Sequence, residues 1–199
     1  MLSPGKGYNR ATHKKKPAAG LNANTENGLY LNIYRPDSDK KKLPVMVYLH
    51  GGGNSGGTAN RDFHALAKAT NSVIISVEFR QGAFGWLSLP ALKTGDAEED
   101  SGNYAMLDIR LALQWVQKNA VHFGGNAKNV TLAGFSAGGR DVMLCVISPI
   151  MKGLFHKAIV FSGGMVTCDE ETGQESAYAK LADIFVKRGD FTSRKKALE

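Results

Sequence analysis

The sequence predicts a protein of the α/β class, with a mostly parallel sheet and helices on both faces of that sheet. Short apolar runs bounded by glycine, proline or polar residues recur along the chain, which is typical of strands. Several of these runs are apolar throughout, as expected for parallel strands that are covered on both faces. Helical patterns lie between the runs, and strands that alternate with helices indicate right-handed crossover connections.

Five runs are predicted to be strands because each is rich in β-branched or other apolar residues. In chain order they are LYLNIYRP at 29–36, LPVMVYLHGGG at 43–53, SVIISVEFR at 72–80, NVTLAGFS at 129–136 and HKAIVFSGG at 156–164. The apolar stretches are far too short to cross a bilayer, so no membrane span is predicted.

The longest predicted helix lies between the third and fourth strands. Asn103 is suited to cap its start and Gly124 to end it. The helical spacing places Leu107, Leu111 and Trp115 on one apolar stripe, with Ala112, Val116 and Ala120 beside it. The opposite stripe is polar and consists of Arg110, Gln114, Gln117 and Lys118.

Two further helices are predicted later in the chain. One runs from about Ala137 to Ile147, directly after the fourth strand. The other lies near Ser176 to Arg188 and precedes Gly189, a residue that commonly follows a helix end.

The net charge of +7 is concentrated near the N-terminus. Residues 1–25 hold five basic residues and no acidic one, whereas the rest of the chain is nearly balanced. A basic tail on a near-neutral body is usually solvated, so residues 1–24 are predicted to form a poorly ordered leader and no nucleic-acid partner is expected. The leader has no apolar core of the kind that a secretory signal needs, which makes the cytoplasm the default location.

The motif GFSAGG at 134–139 identifies Ser136 as a candidate nucleophile. An apolar run precedes it and a helical pattern follows, which is the setting of a serine on a sharp strand-to-helix turn. Gly134 and Gly138 occupy the places where a Cβ would collide with the neighbouring strand and helix. The N-terminus of the following helix favours negative charge that develops near the serine.

The motif HGGG at 50–53 predicts an oxyanion loop. A tetrahedral acyl-transfer intermediate needs backbone N–H donors, and a glycine run lets the main chain approach without interference from side chains. We therefore expect Gly52 and Gly53 to supply two donors and Ala137 to supply a third.

From about Thr25 to Met165 the chain resembles the type B carboxylesterases, the α/β-hydrolase group that includes cholinesterases and bacterial p-nitrobenzyl esterases. Five segments carry the resemblance, in the family's order: TENGLYLNIYRP, LPVMVYLHGGG, EFRQGAFGWLS, the stretch from SGNYAMLDIR to FSAGG, and KGLFHKAIVFSGGM. The resemblance implies that residues 25–199 form the N-terminal part of a hydrolase domain whose later strands are missing. It also implies hydrolysis of small-molecule carboxylic esters through an acyl-enzyme on Ser136, with no metal and no cofactor.

A serine nucleophile needs a histidine base and an acid that orients it, in the chain order serine, acid, histidine. After Ser136 the chain holds one histidine, His156, at the start of the last predicted strand. Since Ser136 follows the end of the parallel strand before it, the two residues are expected at opposite edges of the sheet. The resemblance places the acid and the histidine far downstream, so we expect this chain to be a nearly inactive fragment with an incomplete triad.

Two alternatives stay open. The chain could be a non-catalytic interaction module with a hydrolase-like fold, and Phe135 favours this alternative because the family usually has glutamate there. It could also be a compact esterase that uses His50 or a histidine of a partner chain.

Overall fold

A computed structural model gives the fold, and it describes residues 29–165 and 167–198. The predicted leader, residues 1–24, lies outside the described residues. Five strands form one sheet in the order β1-β3-β2-β4-β5. The strands are β1 (Leu31–Tyr34), β2 (Leu43–Leu49), β3 (Val73–Val77), β4 (Gly125–Phe135) and β5 (Lys157–Phe161). All five coincide with predicted strands, and the α/β class is confirmed.

Strand β1 pairs antiparallel with β3, and the other three pairings are parallel. The register aligns Leu49 of β2 with Gly134 of β4, and Gly134 in turn with Val160 of β5. The carboxyl ends of three parallel strands therefore meet at one edge of the sheet. Loops that follow such ends are the usual place for a binding or catalytic site in α/β proteins.

The described residues contain six α-helices and four short 3-10 helices. The α-helices are α1 (His64–Thr70), α2 (Ala83–Trp86), α3 (Tyr104–Asn119), α4 (Ala137–Ile147), α5 (Glu170–Arg188) and α6 (Arg194–Leu198). The 3-10 helices are Pro90–Leu92, Glu99–Ser101, Ala120–Phe123 and Pro149–Met151. The three predicted helices correspond to α3, α4 and α5. Helix α5 begins six residues before the predicted start because Asp169 caps it, accepting a hydrogen bond from the Thr172 amide at 2.8 Å.

The core lies on both faces of the sheet. Helices α3 and α4 pack on one face, where Val47 and Leu49 of β2 are fully buried. Helix α1 packs on the other face through Ala67, against Tyr48 and Ile74. The central strands are thus covered on both sides, as their continuous apolar sequences predict.

The predicted apolar face of α3 is only partly buried: Trp115 packs against the core, but the fully buried residues, Val116 and Ala120 among them, lie on the row beside it. Leu111 is 60% exposed, whereas Ile109 and Leu113 are completely buried against the sheet. The helix carries two adjacent apolar rows, and helical periodicity alone does not predict which of them packs against the sheet. Here the sheet selects the row of small and branched side chains beside the predicted stripe.

The ends of α3 also differ in detail. The Asn103 side chain does not cap the helix, because its amide donates to the Ser101 carbonyl at 3.1 Å. The helix ends at Asn119 and is prolonged by the 3-10 turn Ala120–Phe123. Gly124 then ends the element with a φ of 74°, a left-handed conformation that glycine adopts without strain.

Candidate active site

Ser136 is the single residue between β4 and α4, and its backbone is strained. Its φ is 56° and its ψ is −119°, a region that residues other than glycine rarely adopt. Two backbone hydrogen bonds hold this conformation: the Ser136 amide donates to the Phe161 carbonyl at 2.8 Å, and its carbonyl accepts from the Arg140 amide at 3.0 Å. The half-buried side chain therefore sits at the N-terminus of α4, above the carboxyl end of the sheet.

The glycines on either side of Ser136 are required by the close packing of the turn. A Cβ on Gly134 would collide with the carbonyl of Gly138, and a Cβ on Gly138 would collide with the carbonyl of Leu49. Each added atom would thus meet backbone that has no room to move. These contacts agree with the steric reason for which the sequence motif singled out both positions.

The glycine loop that follows β2 lies against this turn. A Cβ built on Gly51 would come within 3.1 Å of the Ser136 Cβ and 2.8 Å of the Phe135 carbonyl oxygen. Gly52 and Gly53 have φ values of 126° and 66°, which favour glycine. The loop is closed on itself, because the Gly56 amide donates to the Gly52 carbonyl at 3.1 Å. The structure thus brings the two glycine-rich motifs into contact.

His50, which begins the loop, is turned toward the protein interior. Its Nδ1 lies 2.8 Å from the Gly51 carbonyl oxygen and its Nε2 lies 3.1 Å from Oε1 of Glu78. The His50 Nε2 also lies 3.3 Å from the Nε2 of Gln81, so polar groups of three residues surround the ring. The ring also stacks on Phe79 with centroids 4.8 Å apart. His50 is therefore a buried support of the glycine loop, with both of its ring nitrogens engaged away from Ser136.

Glu78 completes this support and is itself buried. Burial raises the pKa of Glu78, but the hydrogen bonds from His50 and from the Ala59 amide, together with the charge on His50, outweigh burial and leave the pKa below its ordinary value. The Ala59 amide donates to Oε2 at 2.7 Å. Glu78 thus stays a carboxylate that ties the end of β3 to both ends of the glycine loop.

His156 lies at the opposite edge of the sheet from Ser136. Its amide donates to the Val130 carbonyl at 2.8 Å, at the beginning of the β4–β5 pairing, whereas Ser136 follows the end of that pairing. Five paired positions at about 3.3 Å each separate the two residues. The prediction that His156 is out of reach is confirmed.

The other described histidines also point elsewhere. His64 hydrogen-bonds to Asp62 at 2.6 Å on the surface, and His122 is exposed in the 3-10 turn after α3. Over residues 29–165 and 167–198, the Ser136 hydroxyl has no hydrogen-bond partner. In the described part of the chain, the strained serine and the glycine loop are thus in contact, and no histidine is hydrogen-bonded to the serine.

Two polar pairs under the loop were not predicted from the sequence. Glu78 binds His50, and Asp141 of α4 accepts a hydrogen bond from the Asn54 side chain at 2.9 Å. Each acid adjoins apolar residues: Glu78 stands between Val77 and Phe79, and Asp141 precedes the apolar run VML. An acid beside apolar residues is the signal that could have marked them, because a buried carboxylate needs a partner.

Residues 29–165 and 167–198 contain no group of three or more histidine, cysteine, aspartate or glutamate side chains placed to hold a metal ion. Among the same residues, no helix combines the length and the apolar character needed to cross a bilayer.

The chain matches a known protein family along nearly its whole length. The family model described as the carboxylesterase family matches residues 5–193. The chain belongs to the carboxylesterase family. The match begins within the predicted leader, and the boundary at residue 25 stays a prediction.

Curated carboxylesterase relatives share close to half of the aligned positions. The medium-chain fatty acyl-CoA hydrolase precursor of Anas platyrhynchos is 46% identical over 145 residues, which cover 71% of this chain and 25% of the relative. Liver carboxylesterase 1 of Oryctolagus cuniculus is 40% identical over 178 residues, which cover 88% of this chain and 28% of the relative. The chain spans about a quarter of the length of the curated relatives that it matches.

Solved esterase structures have the same fold over most of this chain. A PNB esterase superposes with a TM-score of 0.71 and 36% identity, covering 78% of this chain and 32% of the esterase. A thermophilic PNB esterase superposes with a TM-score of 0.70 and 32% identity, and the match covers 85% of this chain and 36% of the esterase chain. The carboxylesterase chain therefore has a partial α/β-hydrolase fold.

Proposed function

We propose that this carboxylesterase chain supplies the nucleophile and the oxyanion donors of an ester hydrolase. Ser136 is the nucleophile, and the amides of Gly52, Gly53 and Ala137 are the donors to the oxyanion. One observation carries the proposal: the strained Ser136 lies at the N-terminus of α4 with Gly51 packed against its Cβ. A serine held in a costly conformation between two glycine-rich segments is typical of a nucleophile elbow.

In the proposed reaction, the Ser136 Oγ attacks the carbonyl carbon of a carboxylic ester and loses its proton to a general base. The carbonyl oxygen takes the negative charge and is stabilised by the amides of the loop and of α4. When the C–O bond breaks, the alcohol leaves with a proton from the conjugate acid of the base. Water then hydrolyses the acyl-enzyme by the same steps, releasing the carboxylic acid and restoring the serine.

The base and its orienting acid belong, in this proposal, to the part of the carboxylesterase fold that this chain does not span. The relatives are about four times as long as the aligned segment, and the described histidines are held away from Ser136. We therefore infer that the isolated chain hydrolyses esters slowly. Removing the base of a serine hydrolase leaves the catalysis that binding and the oxyanion donors provide.

A fluorophosphonate probe tests the assignment of the nucleophile, because it reacts with serines whose surroundings stabilise a developing oxyanion. We expect slow labelling of the wild-type chain and no labelling of S136A. The matched control is S162A, since Ser162 also has a positive φ, of 52°, and follows the next strand. This control should label at the wild-type rate.

The probe also separates the proposal from the alternative of a non-catalytic module. Labelling that persists in S136A would overturn the assignment of Ser136. No labelling of the wild-type chain, even when the remaining portion of a relative is supplied in trans, would favour the module. Turnover of p-nitrophenyl acetate that is fast and abolished by S136A would instead show that a base is already present.

A further inference from the structure

The hydrogen bond between Asn54 and Asp141 joins the glycine loop to α4. The Asn54 Nδ2 donates to the Asp141 Oδ1 at 2.9 Å, and Asp141 is completely buried. Asn54 is also fixed through its backbone, because its carbonyl accepts from the Gly82 amide at 2.6 Å. This one residue thus connects the loop after β2, the loop after β3 and the helix that begins at Ser136.

The second oxygen of each side chain in this pair is left without a partner. The Asp141 Oδ2 and the Asn54 Oδ1 are both buried, and neither has a hydrogen-bond partner in the part of the chain that the structure describes. An amide oxygen and an ionised carboxylate oxygen only accept hydrogen bonds. Two unsatisfied acceptors on one hydrogen-bonded pair would be costly, because each buried group loses its bond to water.

A single proton removes both deficits. A protonated carboxyl group carries one O–H donor, and an acid and an amide can exchange two hydrogen bonds in a ring. We propose that the fold favours the protonated form of Asp141 in mildly acidic solution and that its Oδ2–H then donates to the Asn54 Oδ1, so that a cyclic acid–amide pair holds the glycine loop on α4.

Burial raises the pKa of Asp141 and so favours the proton, whereas the positive charges nearby lower the pKa and disfavour it. Desolvation raises the pKa of Asp141 to about 6, despite the bond from Asn54 and the positive charges of Arg140 and His50. One turn further along α4, burial and the Asp141 charge raise the pKa of the Cys145 thiol to about 12. No fixed cation is paired directly with the Asp141 carboxyl in the described residues, which agrees with a neutral acid.

The pair makes Asn54 and Asp141 positioning residues for the proposed oxyanion donors, and this consequence rests on the proposed function. The protonated state does not rest on it, because the contacts that support the proton involve neither Ser136 nor a substrate. The experiment therefore reads out the proton itself, on the whole 199-residue chain.

The first measurement compares urea unfolding of the wild type and D141N from pH 4 to pH 8. An asparagine at 141 donates to the Asn54 Oδ1 from the same place, so we expect D141N to fold and to lack the contribution of this proton. Relative to D141N, the wild-type unfolding constant should rise about 50-fold over this range, since about two pKa units separate the folded and unfolded carboxyl groups and the unfolded one is already half ionised at pH 4. A constant ratio would overturn the proposal.

The matched control is D108N. Asp108 is also buried in the chain, but it accepts two hydrogen bonds from the Arg80 guanidinium at 2.8 Å. Asparagine cannot replace that ion pair, so D108N should be less stable than the wild type at pH 7, where D141N should be at least as stable. Equal destabilisation by both substitutions would contradict an acid–amide pair.

A second measurement needs no variant. In protein labelled with ¹³C at aspartate, the Asp141 carboxyl signal, assigned by through-bond correlations, should titrate near pH 6. Titration of this signal at or below pH 4 would overturn the proposal even if D141N fails to fold. The rate at which a fluorophosphonate labels Ser136 is measured separately. If Asp141 titrates near pH 6 but Ser136 is not labelled, the proposed function is rejected and the acid–amide pair is retained.

Discussion

Gly51 lies so close to Ser136 that a Cβ on the glycine would stand 3.1 Å from the Cβ of the serine. The contact joins two segments that are more than eighty residues apart in the chain. It fixes the distance between the serine turn and the loop that begins at His50. The proposed chemistry depends on this distance, because oxyanion donors stabilise a transition state only at hydrogen-bond range.

Substitution G51A should therefore disturb both stability and reactivity. The added methyl group meets the Phe135 carbonyl and Ser136, so we expect a loss of about 1–3 kcal/mol in the free energy of unfolding, as for other overpacked sites. Labelling of Ser136 by a fluorophosphonate should also slow. The control is G56A, because a Cβ on Gly56 meets nothing within 4 Å. Equal effects of the two substitutions would contradict the tight contact.

Substitution E78Q should destabilise the protein through the loop support. The neutral amide loses the charge that pairs with His50, and hydrogen bonds to charged groups contribute about 1.5–3 kcal/mol. The folded pKa of Glu78 is depressed, so the stabilisation is present above its ordinary pKa and is lost as the pH falls through the folded value. Urea unfolding should therefore show a gap between wild type and E78Q that is full at pH 7 and shrinks below about pH 4.

The control for E78Q is D183N, which breaks the surface ion pair between Asp183 and Arg194. Exposed ion pairs contribute little, so D183N should leave the free energy of unfolding almost unchanged. A gap between E78Q and the wild type that does not depend on pH would rule out an ionised Glu78 as the source of the stabilisation.

The buried face of α3 leads to a test with two alanine substitutions. Ile109 is fully buried, so I109A should cost about 2–5 kcal/mol. Leu111 is 60% exposed, so L111A should change the free energy of unfolding by less than about 0.5 kcal/mol. Thermal or urea unfolding measures both, and a larger effect of L111A would place Leu111 rather than Ile109 against the sheet.

The two cysteines should react very differently with a thiol reagent. Burial, followed by the charge of Asp141, raises the pKa of Cys145 to about 12, and the thiol is almost inaccessible. Cys168 is exposed. At pH 8 a coloured disulfide reagent should therefore modify one thiol per native chain and two after unfolding, and C168S should abolish the fast reaction. Fast modification of Cys145 would show that α4 opens readily.

Much of the fold could be predicted because strand and helix patterns are local. The five strands, the helix after Ser136 and the steric need for Gly134 and Gly138 follow from short segments of sequence. The buried row of α3 could not be predicted, since the choice between Leu111 and Ile109 is made by the sheet. The pairs His50–Glu78 and Asn54–Asp141 join residues 28 and 87 positions apart, so no local pattern connects them.

The hydrogen bond from the Ser136 amide to the Phe161 carbonyl lets β5 stabilise the strained serine turn. The strained backbone of Ser136 therefore depends on the presence of β5. Dividing the polypeptide between α4 and β5, for instance to build a two-piece reporter, would take away the carbonyl that holds the amide. The turn would be free to relax, even though every residue of the GFSAGG motif would still be in place.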